Sequence, residues 1–260
     1  MSGTVLPAGV LGPEDAPPVV LLHGFLGSGA DWAPVAPPLA DAFRLVAPDL
    51  PGHGLAVGLP NGAYTMDGAA DAIAATLDAA GVNRTAVVGY SMGGRLALHL
   101  ALRHPEHVAR LVLLGGSPGL RTEAERAARR ALDAERADAI RRDLPAFLDR
   151  WYRMPLFATL TERQRATLVR RRSRNDPAEL GRSLAGMGTG VQPSHWEDLG
   201  RIRIPAWAVA GSKDAKFVGL ACAMAEAGPF EAVELPGLGH ALIEEDPEAL
   251  AALLGRLLPS

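Results

Sequence analysis

Cysteine is almost absent: the single Cys222 among 260 residues excludes an intramolecular disulfide and suits a reducing compartment. Its setting, Ala221-Cys222-Ala223-Met224-Ala225, predicts a buried helical thiol rather than a nucleophile. The stretch Met1 to Pro18 lacks a basic start followed by an apolar run, so no signal peptide is expected. No uncharged apolar run of about 20 residues occurs, which argues against a transmembrane helix and membrane insertion. These absences point to the cytoplasm. Surplus positive charge is missing too: the net charge of −3 speaks against a nucleic-acid binder. Histidines and acids lack the close spacing that zinc needs, and no phosphate loop or dinucleotide fingerprint occurs. Neither a metal nor a cofactor is therefore expected.

What is present fits a globular enzyme. Hydrophobic residues make up 48% and charged ones 21%, enough to build a sizeable core. The charge is unevenly spread. Positions 118–195 carry 16 arginines against 10 acids, whereas the remainder has 10 basic residues against 19 acids. Outside that stretch, short apolar runs alternate with helix-length segments, the pattern of a parallel sheet covered on both faces. Strands are predicted at Val19–Leu22, Phe43–Ala47, Thr85–Gly89, Val108–Leu114, Ile204–Ala210 and Glu231–Leu235. Helices are predicted at Thr65–Ala80, Met92–His104, Phe217–Ala227 and Ala241–Leu258. Between Pro118 and His195 the pattern is helical only. One α/β domain, residues 1–117 and 196–260, is thus interrupted by a helical cap at 118–195, expected over the carboxyl ends of the strands.

A Gly-x-Ser-x-Gly motif at Gly89-Tyr90-Ser91-Met92-Gly93 stands between the strand ending at Gly89 and the helix opening at Met92. With 29 glycines a chance match is easy, so this strand-to-helix context decides: it is that of a nucleophile elbow. A serine hydroxyl hardly ionises at neutral pH and needs a base. His240 follows the last predicted strand; His23, His53, His99, His104, His107 and His195 are worse placed. Asp214, in the turn after Ile204–Ala210, is the expected acid that orients the histidine. Asp198 and Asp49 belong to the wrong strand ends. The amides of Met92 and Phe25 are the expected oxyanion donors. For His23 and His53 a structural role in their loops is the better reading.

Arg95 lies one helical turn beyond Ser91 on the same face, towards the middle of the domain, where an unpaired guanidinium is costly. Either a buried carboxylate or an anionic substrate must meet it. The arginine surplus of the cap favours the anion, since the planar fork binds carboxylates bidentately.

These residues carry a family resemblance. The segments Leu22-His23-Gly24-Phe25-Leu26-Gly27 and Asp49-Leu50-Pro51-Gly52-His53-Gly54 resemble ones that occur widely among α/β-hydrolases, and in Gly89-Tyr90-Ser91-Met92-Gly93-Gly94-Arg95 the Arg is more selective. The cap segments are more telling: Ser117-Pro118-Gly119-Leu120, Glu123 to Arg129, Trp151-Tyr152-Arg153-Met154-Pro155-Leu156-Phe157 and Arg172-Ser173-Arg174-Asn175. With Gly211-Ser212-Lys213-Asp214-Ala215-Lys216-Phe217, they resemble the α/β-hydrolase-fold synthases of menaquinone biosynthesis, which make 2-succinyl-6-hydroxy-2,4-cyclohexadiene-1-carboxylate. Departures are small: Leu55-Ala56 stand where a serine is frequent, and Arg174 sits inside its motif.

The resemblance implies an α/β-hydrolase fold with a Ser91–His240–Asp214 triad, carboxylate-binding Arg95, Arg129 and Arg172, and Tyr90 and Trp151 lining the site. It also implies a lyase that eliminates pyruvate from an anionic polycarboxylate. Two other readings remain open at the level of sequence. One is an ordinary serine esterase or carbon–carbon bond hydrolase; the other is a non-catalytic receptor on this fold. Whether the chain is a monomer or a homo-oligomer is left open as well.

Overall fold

The computed structural model describes residues 3–259; Met1, Ser2 and Ser260, the outer ends of the expected core segments, lie outside the described residues. Among the described residues seven strands form one sheet: β1 (Ala8–Leu11), β2 (Pro18–Leu22), β3 (Arg44–Pro48), β4 (Thr85–Tyr90), β5 (Val108–Leu114), β6 (Ala206–Gly211) and β7 (Phe230–Leu235). Their spatial order is β1-β3-β2-β4-β5-β6-β7, and only β1 pairs antiparallel. Ten α-helices accompany them among the described residues: α1 (Pro37–Ala40), α2 (Met66–Ala79), α3 (Met92–Arg103), α4 (Glu123–Arg142), α5 (Leu144–Tyr152), α6 (Glu162–Arg172), α7 (Pro177–Met187), α8 (Ala215–Ala227), α9 (Leu242–Glu245) and α10 (Pro247–Leu257). Among the described residues no helix is long and apolar enough to cross a membrane.

Side chains alternate across the strands, and both faces are covered. Val20, Leu22, Val87, Leu111 and Leu113 pack with Ile73 of α2, Leu96 and Leu100 of α3 and Met224 of α8. Val19, Leu21, Val88, Val112 and Leu114 pack on the other side with Leu39 of α1 and Leu250 and Leu254 of α10. The four helices between β5 and β6 have a core of their own, built from Ile140, Phe147, Leu148, Leu168, Leu180 and Leu184. Leu26 and Ala241, from loops of the sheet domain, join that core and seat the helices on the ends of β2 and β7.

Strand order locates the site. From β2 the chain steps outward to β3, then crosses back so that β4 lies on the other side of β2. The loops after β2 and β4 therefore diverge at a topological switch point, where open α/β sheets leave a crevice. The first loop carries Phe25 and the second carries Ser91.

Several boundaries differ from expectation for local reasons. β1 has neither burial nor alternation to betray it; all four residues are exposed, and pairing with β3 alone makes it a strand. β6 opens after Pro205, which has no amide for a ladder. The expected helix Ala241–Leu258 is two helices, because Asp246 caps α10 by accepting the Ala249 amide and Pro247 follows at its first position. α8 begins at Ala215, two residues before expectation, capped by Asp214. Cys222 is exposed, against the buried thiol expected, because it falls on the outer face of α8.

Candidate active site

Ser91 has φ +51° and ψ −104°, an uncommon backbone conformation for a residue with a side chain. Such strain, about 1–3 kcal/mol, persists only where its surroundings enforce it. Here they do: a Cβ on Gly93 would collide with the Leu22 carbonyl, and one on Gly89 with the Gly93 carbonyl. Helix and strands thus approach within reach of bare backbone only, and the serine projects from the turn.

The structure brings the three expected side chains together. His240 Nε2 lies 3.2 Å from Ser91 Oγ, and His240 Nδ1 lies 2.8 Å from Asp214 Oδ2. The ring is buried, with Phe217 packed against it at 4.5 Å between centroids and Tyr90 at 5.7 Å. Asp214 does two jobs, because its Oδ1 accepts the Phe217 amide and caps α8 while Oδ2 meets the histidine. The helix start and the imidazole therefore share one anchor. Met92 opens α3 with an amide that has no intrahelical partner, and Phe25 lies beside it in the wall of the same cavity.

The Phe25 loop is held by two histidines with no part in the triad. His23 Nε2 accepts the Leu50 amide and His53 Nε2 accepts the Leu26 amide. Both rings are fully buried, and burial lowers their pKa, for His53 to about 3, so they stay neutral acceptors. This agrees with the structural role expected for them.

Two cavities meet at Ser91, His240, Phe25, Trp151 and Leu156. The larger, of about 210 Å³, is walled by Arg95, Arg129, Leu184, Met187 and Leu220, with Lys216 exposed at its edge. The smaller, of about 60 Å³, is walled by Tyr90, Tyr152, Arg172, Asp31 and Glu244. Trp151 stands between them, stacked on Phe147 and edge-on to Phe25. The three expected arginines all reach the site, but from two sides of the serine.

Their charges are handled differently. Arg95 Nη1 donates to the Met187 carbonyl at 2.7 Å and to Gln192 Oε1 at 3.4 Å, both neutral. Among the described residues no carboxylate lies within ion-pair distance of it. Arg95 is half-buried in the cavity wall, and burial, then the nearby Arg129, pull its pKa down to about 10, with Asp133 partly opposing. It remains charged at neutral pH and poorly compensated. Arg129 is oriented through Nε by the buried Asp133 at 2.8 Å, a carboxylate also within 3.4 Å of Arg136.

Arg172 is a buried member of a closed network. It donates to Asp31 at 2.6 Å, while Arg171 bridges Asp31 and Glu244 at 2.5 and 3.1 Å. Burial disfavours its charge, yet Tyr152 and Asp31 outweigh that and its pKa is raised. Burial likewise works to raise the Asp31 carboxyl, but Arg172 reverses the sign and holds it low. For Glu244 burial prevails over Arg171 and Arg172, and its pKa is raised.

The sequence reading missed Gln192, Asp133, Asp31, Tyr152 and Glu244. Asp133 had a usable signal, four residues after Arg129 on one helix face. Tyr152 is the chain neighbour of the expected Trp151, whereas Gln192, Asp31 and Glu244 come from distant segments.

A serine at a strained strand-to-helix turn, backed by histidine and aspartate from later strand ends of a parallel sheet, defines the α/β-hydrolase class. Comparison agrees: a family model described as alpha/beta hydrolase fold matches residues 17–246. More specifically, the chain is 36% identical over 251 residues to the 2-succinyl-6-hydroxy-2,4-cyclohexadiene-1-carboxylate synthase of Salmonella heidelberg (strain SL476), covering 95% of this chain and 96% of that one. It superimposes on the structure of MenH from S. aureus with TM-score 0.91 at 27% identity, covering 96% and 97% of the two chains. A thermophilic esterase from Thermogutta terrifontis follows at TM-score 0.84 and 24% identity over 96% and 92%, a likeness of fold alone. The chain belongs to the α/β-hydrolase fold family and, within it, to the 2-succinyl-6-hydroxy-2,4-cyclohexadiene-1-carboxylate synthases.

Proposed function

We propose that the protein is a cytoplasmic lyase of menaquinone biosynthesis. It eliminates pyruvate from 2-succinyl-5-enolpyruvyl-6-hydroxy-3-cyclohexene-1-carboxylate, yielding 2-succinyl-6-hydroxy-2,4-cyclohexadiene-1-carboxylate. Substrate and product fix the bond changes. A ring double bond at C3 becomes two at C2 and C4, so the proton leaves C2, beside the succinyl carbonyl, and the enolpyruvyl oxygen leaves C5. The expelled enolate takes up a proton and becomes pyruvate.

Ser91 Oγ is the base in this reading. His240, held by Asp214, receives the hydroxyl proton as the serine oxygen takes the one from C2, and then gives it to the expelled enolate, so that serine and histidine both end in their starting states. The amides of Phe25 and Met92 meet the oxygen on which negative charge develops. Proton transfer by a placed base supplies about a hundredfold to ten-thousandfold, so orientation and electrostatics must contribute the rest. Arg95 and Arg129 in the larger cavity and Arg172 in the smaller hold the carboxylates, with Tyr90 and Trp151 shaping the space around the ring. The helical segment 118–195 acts as the cap that supplies Arg129, Trp151 and Arg172.

The single observation that carries this reading is Arg95: a charged, largely desolvated guanidinium without a carboxylate, one turn from the serine. A neutral ester gives such a group nothing to pair with. The test compares pyruvate release from the tricarboxylate with hydrolysis of a neutral nitrophenyl ester. Pyruvate release should dominate and fall by about a thousandfold or more in Ser91→Ala. Fast ester cleavage without pyruvate would establish an ordinary serine hydrolase instead.

A further inference from the structure

The chain leaves the sheet domain for the inserted helices at Ser117–Gly119 and returns at Gln192–Trp196. These two passes are stitched together: Gln192 Nε2 donates to the Ser117 carbonyl at 2.9 Å, the His195 amide to Pro118 at 2.7 Å, and Trp196 Nε1 to Gly119 at 2.9 Å. Gln192 is wholly buried at the inner end of this seam. With its NH₂ group committed to Ser117, its carbonyl oxygen must face the other way, and there it meets Arg95 Nη1. The Gln192 side chain stands behind the arginine and is not part of the cavity wall.

A buried arginine usually acquires a carboxylate, as Arg172 does here with Asp31. At Arg95 that place is filled by an amide and a backbone carbonyl. Both fix the guanidinium through Nη1, and neither neutralises it. Glutamate at 192 would have nearly the same shape and would supply the missing counter-charge.

We infer that Gln192 is a positioning residue that determines specificity: its neutral side chain aims Arg95 at the cavity while leaving the positive charge for a substrate carboxylate. This rests on the elimination reading above. It assigns the choice for anionic substrates to a residue that touches none of them, placed where the cap segments join the core. The tightness of the seam and the charge of the pocket are thereby linked through one side chain.

The test uses Gln192→Glu and Gln192→Met in the full-length protein. Binding of the tricarboxylate is measured calorimetrically on the Ser91→Ala background, and KM and kcat on the active enzyme. Gln192→Glu should raise Kd and KM by about tenfold or more, through loss of a charge-assisted contact, with kcat changed by less than about threefold. Gln192→Met, which keeps the pocket positive but frees the arginine, should raise Kd by only about three- to fivefold. Equal effects of the two variants, or Kd within twofold of the parent for Gln192→Glu, would overturn the inference. Should Gln192→Glu fail to fold, an unchanged Kd in Gln192→Met would overturn it on its own. Tight binding to the parent without pyruvate release would sink the elimination reading and leave the Gln192 comparison standing.

Discussion

The two cavities on either side of Ser91 each have an arginine in the wall, Arg172 buried and Arg95 half-buried, and of these two only Arg172 is matched by a protein carboxylate. Arg172 in the smaller cavity shares Asp31 with Arg171. Arg95 in the larger one has a carbonyl and an amide. Buried ion pairs are expensive to break, because the charge left behind is uncompensated. A charge that the protein never compensated costs stability while empty and rewards an anion that enters. The charge of Arg172 in the smaller cavity is thus matched within the protein, and that of Arg95 in the larger one is not.

This contrast can be broken most directly at Arg172. Replacing it with Ala strands Asp31 beside Arg171 alone and should cost about 3 kcal/mol, lowering Tm by roughly 6–12 °C. A thermal melt within a degree of the parent would mean the network is not structural. Arg95→Ala should do the reverse. It should lower kcat/KM for the tricarboxylate by about 1.5–3 kcal/mol in transition-state terms while leaving Tm unchanged or higher. An equal loss of stability at both arginines would erase the distinction.

A smaller effect sharpens what the two cavities share. Their common wall includes Phe25, whose loop hangs on neutral His23 and His53. Their pKa values are lowered on folding, so below about 6.5 the unfolded chain binds more protons and stability falls with pH. For His53 the loss continues down to about 3. At pH 5.5 it should contribute about 1.4 kcal/mol of destabilisation relative to pH 7.5, read from urea midpoints. His53→Gln, which keeps an acceptor but does not titrate, should flatten that dependence.

Much of this protein was open to a reader of the chain. The sheet and its helices follow from runs of Val and Leu with turn residues between them, because burial on both faces demands apolar runs. Ser91, Asp214 and His240 are legible because each sits just after a strand, where this topology collects its loops. Arg95 is legible because one helical turn separates it from Ser91. What escaped was either too short to carry a pattern, as in β1, or was decided by a competing local cap, as at Asp246-Pro247.

The sequence by itself therefore determined most of the elements, the order of Ser91, Asp214 and His240 along the chain and the stock of arginines in the inserted segment. Only the tertiary structure decided what each arginine faces. Asp31 and Arg172 are 141 positions apart, and Arg95 and Gln192 are 97 apart. No periodicity spans such distances. Whether a guanidinium is neutralised or left free is settled when distant segments pack, since a buried charge answers to whatever lies within a few ångströms of it.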